Sequence, residues 1–274
     1  MLSRNLVIVA VLSVAAIIMT VTGVLTPVQA ATQLVSHRAI YAVSLSPDSA
    51  GGPVLGVDGV MSMSIEETCD GWIFTQDMKT AITVDNGNTI NQSALFTSWE
   101  SLDGREYRFA SRVKTGGGQL ILRGDARLDQ DGSGTASYRV PQEIEIALPK
   151  GTFFPVSHTA WLIDEAKAGT RSAPHIVFTG SEDLEAELVN AFIGDFEAPK
   201  DYATEGMGEL ASEGGWPLTM AFYPLASETG VPTFEMRALQ LGNGVSPELQ
   251  MNFGEFSTRM LIQRLEAIER PSCS

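Results

Sequence analysis

Ser157 and His158, with Asp164 two turns further on, are the residues of this chain that most invite a chemical reading. A hydrolase needs that set: a hydroxyl to attack, an imidazole to take its proton, and a carboxylate to orient the ring. If a helix carries them, as argued below, neighbouring side chains point about 100° apart and the serine cannot hand its proton to the adjacent histidine. No Gly-x-Ser-x-Gly elbow occurs either. The expectation is that Ser157 caps a helix and that His158 holds a backbone carbonyl in a core or groove.

Other candidate chemistries fare no better. His37, His158 and His175 are the only histidines and come from distant segments, so a metal would have to be assembled across the fold. Asp129-Gln-Asp131-Gly-Ser133 opens like a calcium loop, but Val140 stands where the bidentate acid belongs, and a hairpin turn accounts for the segment. Gly116 to Gly118 lacks the Lys-Ser/Thr pair of a phosphate cradle. Glu66-Glu67 and Asp164-Glu165 are neighbours on one segment, whereas glycosidase acids face each other across a cleft. No catalytic residue, metal or cofactor is expected.

Aromatic residues are more informative. Pro155 at a first turn, Gly169 where a left-handed residue ends a helix, and apolar spacings of three and four predict one helix over about 156–168. Its start gathers Phe153, Phe154, His158 and Trp161, so a groove for a partner or an apolar ligand is expected to begin there. Trp72, Phe74, Phe96, Trp99, Trp216 and Phe222 are expected mainly to pack a core.

The elements that must position these groups are strands. Segments 40–45, 54–65, 72–84, 89–99, 105–113, 119–128, 135–148, 174–180, 186–193, 216–223, 233–241 and 248–256 alternate between Gly, Asn, Asp and Pro clusters. Asp85 to Asn88 and Asp103-Gly104 suit hairpin turns. Segment 257–268 fits either period and is read as a strand. The fold class is all-β and mainly antiparallel, a large curled sheet with one main helix, in a single domain over 31–274.

Residues 1–30 look like an export leader: Arg4, a long uncharged stretch, and a small-x-small ending at Ala30 that predicts cleavage there. An uncleaved anchor is the other reading, because Leu6 to Leu25 is long enough to span a bilayer. The leader takes one basic residue with it, leaving 17 basic and 33 acidic side chains and a formal charge of −16. No basic run stands out, which argues against nucleic acid and against anionic headgroups. In an oxidising compartment Cys69 and Cys273, the only cysteines, are expected to pair; two separate buried thiols are the alternative.

Six blocks in order, namely Leu34 to Tyr41, Cys69-Asp-Gly-Trp72, Ser98 to Phe109, Leu148 to Gly169, Asn243-Gly-Val245 and Met251 to Phe256 with the closing Pro271-Ser-Cys273, resemble the EipB-like cell-envelope integrity proteins of alphaproteobacteria. The resemblance covers the whole mature chain. It implies a periplasmic β-spiral of about fourteen strands with a helix, a Cys69–Cys273 bridge, no enzymatic activity, and a role in envelope integrity through a periplasmic partner. Its similarity to lipoprotein-carrier half-barrels is fold analogy and does not name a ligand. A hydrolase of peptidoglycan or lipid is the alternative function. An outer-membrane pore would need apolar bands with aromatic girdles, which the recurring acids interrupt.

Overall fold

Turn chemistry builds most of the sheet. In a computed structural model, which describes residues 32–49, 51–180, 184–200, 207–226 and 230–273, the strands are β1 (His37–Leu45), β2 (Val54–Glu67), β3 (Gly71–Val84), β4 (Thr89–Ser101), β5 (Glu106–Thr115), β6 (Gly118–Leu128), β7 (Gly134–Val140) and β8 (Ile144–Leu148). After β9 (Thr152–Phe153) and the helix α1 (Pro155–Lys167) come β10 (Ser172–Val177), β11 (Glu187–Ile193), β12 (Gly215–Pro224), β13 (Phe234–Leu241), β14 (Glu248–Asn252) and β15 (Ser257–Ala267). Gly87 and Gly104 take φ of 79° and 67° in the turns between β3 and β4 and between β4 and β5, the conformation that Asn-Gly and Asp-Gly were expected to supply. The leader and its cleavage site lie outside the described residues; those described belong to one compact unit, Ala31–Ser274.

All fifteen strands join one sheet in the order β8-β7-β6-β5-β4-β3-β2-β1-β15-β14-β13-β12-β11-β10-β9. Every pair is antiparallel except β9 with β10. The chain therefore meanders outward in two wings from a central pair, β1 and β15, made by its two ends. The outermost strands of the two wings, β8 and β9, are separated in sequence only by residues 149–151. Around that junction the Gly151 and Thr152 amides donate to the Asp131 and Gly132 carbonyls at the turn between β6 and β7 (both 3.1 Å). The curled sheet is thus nearly closed on itself.

Two strands were not legible. Alternation runs through 135–148 as one strand, but Pro141 has no N–H to give a ladder, so β7 and β8 part there. Strand β9 has two residues and pairs in parallel, too short to show any period. The ambiguous last segment is the strand β15.

Apolar side chains do not merge into one core. They form four clusters: around Tyr41, Met61 and Met260; around Tyr107, Phe109, Tyr138, Phe154 and Phe178; around Leu162, Val189 and Leu218; and a small one of Leu34, Val156 and Ile163. A single contiguous core is the usual arrangement.

Candidate functional site

Helix α1 sits at the junction of the two wings, and the local sequence explains how it is held. Pro155 occupies the first turn, where a missing N–H has no intrahelical partner to lose. At the other end Gly169 takes φ 85°, and its amide donates to the Ala166 carbonyl (3.1 Å). Thr32 fastens the start of the described chain to the helix: its amide and hydroxyl donate to the Asp164 carboxylate (3.0 and 2.6 Å), and Lys167 donates to its hydroxyl (2.7 Å).

The cap is not the one expected. Ser157 does not cap; the N-cap position is Phe154, which has no side-chain oxygen. Glu100, on β4, supplies the carboxylate instead. It accepts from the Val156 and Ser157 amides (2.8 Å each) and from the Ser157 hydroxyl. Its side chain is buried, and loss of solvent raises its carboxyl above the usual range, although the donors from Ser157 and Val156 pull the other way. Gly104 lies so close that an added Cβ would come within 2.4 Å of the Ser157 hydroxyl, so the turn before β5 seals this contact. The Ser157 hydroxyl thus donates to Glu100 and not to the neighbouring His158.

Beside this cap the expected aromatic group is real in part. Phe153, His158, Trp161 and His175 form a ring cluster, with Phe153 to His175 at 4.2 Å, Trp161 to His175 at 4.6 Å and Phe153 to Trp161 at 5.6 Å between centroids. Phe153, Trp161 and His175 are half-buried. Phe154 points the other way: it is fully buried, stacked on Tyr107 at 4.9 Å, and is a core residue rather than a groove residue. One residue's difference along the extended segment reverses the direction of a side chain.

His158 holds no carbonyl through Nε2, which is buried and has no hydrogen-bond partner among the described residues. Burial, with His175 nearby, lowers its pKa to about 3, so the ring is neutral. Burial likewise lowers His175 and His37, the latter against the Val35 carbonyl that its Nδ1 contacts at 2.8 Å. These are packing groups that carry no charge at neutral pH.

Sequence reasoning missed the inner wall. One row across the sheet reads Ala39, Met63, Gln76, Phe96, Ser111 and Leu122, and the next reads Tyr41, Met61, Met78, Ala94, Val113 and Leu120. The flanking Ala39, Tyr41 and Leu122 are buried, while Met63, Met78, Phe96, Val113 and Leu120 are only half-buried. Met236 and Met251, paired across β13 and β14, are half-buried too. Methionines on an incompletely filled inner face make a soft surface able to adapt to an occupant. Their common face could have been found from strand register, but not from the methionines singly.

Cys69, in the turn between β2 and β3, is joined to Cys273, 204 residues away, with Cα atoms 5.5 Å apart. Arg270 lies along the same seam, its guanidinium 3.0 Å from Glu67 and donating to the Leu34 carbonyl at 3.3 Å. The last described residues are thereby fixed beside Leu34 and the turn between β2 and β3.

Comparison with known proteins agrees with this architecture. The model of the EipB-like family matches residues 28–269. The cell envelope integrity protein EipB of Brucella abortus (strain 2308) is 29% identical over 241 residues, covering 86% of this chain and 85% of that protein. A crystal structure of a β-barrel-like protein of a domain of unknown function, also from Brucella abortus, superposes with a TM-score of 0.78 at 27% identity, covering 87% of this chain and all of that one. Among the described residues no helix is long and apolar enough to cross a membrane. Family model, relative and solved structure each span nearly the whole curled sheet, and the chain belongs to the EipB-like family.

Proposed function

We propose that this protein supports cell-envelope integrity from the periplasm as a non-enzymatic binding protein, holding an apolar ligand or the apolar face of a partner protein against its inner wall. The observation that carries the reading is the half-buried patch made by Met63 and Phe96 in one row and Met78 and Val113 in the next, which leaves apolar surface inside a nearly closed sheet. Burying such surface against an occupant is favourable by about 25 cal/mol per Å². Phe153 and Trp161 add an aromatic margin at the helix end. A naphthylamine dye that fluoresces on leaving water tests this: the purified protein should enhance its emission, and an acyl-chain competitor should reverse the enhancement. Met78→Glu, which puts a charge opposite Met61 and Ala94, should abolish binding while the circular dichroism stays unchanged. Dye emission indifferent to both the protein and the variant would defeat the proposal.

A further inference from the structure

The chain's formal charge of −15 conceals a segregated face. Strands β5, β6 and β7 contain eight charged residues, Glu106, Arg108, Arg112, Lys114, Arg123, Asp125, Arg127 and Arg139, and strand alternation sends all of them to the outer side of the sheet. Six cations against two acids leave +4 on three strands. Glu106 is paired with Arg127 (2.9 Å) and lies 4.0 Å from Arg108, and Asp125 is paired with Arg139. Arg112, Lys114 and Arg123, all exposed, have no acidic partner among the described residues. Arg112 and Lys114 are two residues apart on β5, and Arg123 on β6 stands diagonally from Arg112, two residues beyond its partner Ile121. Like charges so placed repel, and no internal contact compensates them.

Apolar groups are interleaved on the same side. Leu95 pairs with Arg112 and is 41% exposed, and Trp99 lies under the Arg108 guanidinium at 4.7 Å. Asp77 on β3 and Glu145 on β8 stand at the flanks. At physiological salt, charges more than about 8 Å away are screened, so a docking surface feels this face and not the acidic remainder.

We propose that the outer face of β4 to β7 docks on an anionic, phosphate-bearing lipid bilayer surface. Arg108, Arg123, Arg127 and Arg139 line one open hollow across β5 to β7, and Arg112 and Lys114 extend the charge along β5, so the cations cover a patch with extent in two directions, which suits a plane of headgroups better than a single strand of nucleic acid. Exposed Leu95 and the indole of Trp99 suit the boundary between headgroups and acyl chains. The docking is peripheral, with no segment crossing the bilayer.

The test is sedimentation of the protein, purified after export, with vesicles of phosphatidylcholine alone and of phosphatidylcholine mixed with phosphatidylglycerol. Binding should appear only with the mixed vesicles and should fade as salt rises. The triple variant Arg112→Gln, Lys114→Gln, Arg123→Gln should bind at least about tenfold more weakly with unchanged thermal unfolding, since each surface cation contributes separately. A control triple, Arg38→Gln, Arg171→Gln, Arg264→Gln, loses the same charge elsewhere and should bind as the parent does. Three results would each overturn the proposal: no binding to mixed vesicles, equal loss in both triples, or binding to a soluble anionic polymer but not to vesicles.

Discussion

Glu100 and Ser157 meet across 57 positions of sequence, the carboxylate of strand β4 closing the first turn of helix α1. A capping group on the same segment would hold the helix only to itself. A capping group on β4 ties the helix to the sheet.

Removing that carboxylate should therefore unlock both. Glu100→Ala leaves two amides and a hydroxyl without an acceptor in a buried place, and a loss of about 3 kcal/mol is expected in urea unfolding. The pH dependence has a definite sign. Because burial raises the carboxyl above its unfolded value, the folded state holds the proton more tightly, and stability from this group falls as pH rises from the unfolded value to the raised one. Glu100→Gln should remove that downward slope; an unchanged profile would show that another acid causes it.

His158 acts in the opposite sense. With its pKa lowered to about 3, the unfolded chain binds its proton first, so this residue's contribution is full above about pH 6.5 and is lost progressively down to about pH 3. His37 and His175 are lowered as well and add to the same slope. His158→Phe should shrink the slope without loss of stability at pH 7, since the ring's buried Nε2 has no partner to forfeit. Thermal unfolding followed at pH 4 and pH 7 distinguishes the two proteins.

Reducing the Cys69–Cys273 bond, or replacing both residues with serine, should lower stability by about 3 to 5 kcal/mol, because the bond closes a loop between residues 204 positions apart. Denaturant midpoints with and without reductant measure the effect. A thiol assay of the unreduced, denatured protein should detect no free thiol.

Two glycines with similar backbones should respond differently. Gly87 has φ 79° and open space around it, so Gly87→Ala should cost about 1 kcal/mol for the left-handed conformation alone. Gly180 has φ 73°, and an added Cβ would come within 2.5 Å of the Phe109 ring, so Gly180→Ala should cost about 3 kcal/mol or more. Equal losses in the two variants would mean that Phe109 can move aside.

The parts of the fold written in local pattern were readable beforehand. Alternation placed the long strands, Asn-Gly and Asp-Gly marked their turns, and Pro155 with Gly169 bracketed the helix. The parts set by distant contacts were not. That Glu100 rather than Ser157 caps the helix depends on β4 lying under α1. That Phe153 joins the ring cluster while Phe154 enters the core depends on which side of the sheet Tyr107 occupies. The basic face escaped notice because its cations alternate with apolar residues and are divided by two turns. They become neighbours only when β5, β6 and β7 align.

The central position of β1 and β15 governs the order in which the molecule can be completed. Strands β1 to β8 emerge first and can zip as successive hairpins, each waiting only for the next few residues. Throughout synthesis of the other wing, one border of β1 remains without its hydrogen-bonding neighbour, an open template of the sort that recruits foreign strands. That border is covered only when β15, the last of the described strands in chain order, arrives, so this strand decides whether the growing ribbon becomes a finished molecule or seeds an aggregate.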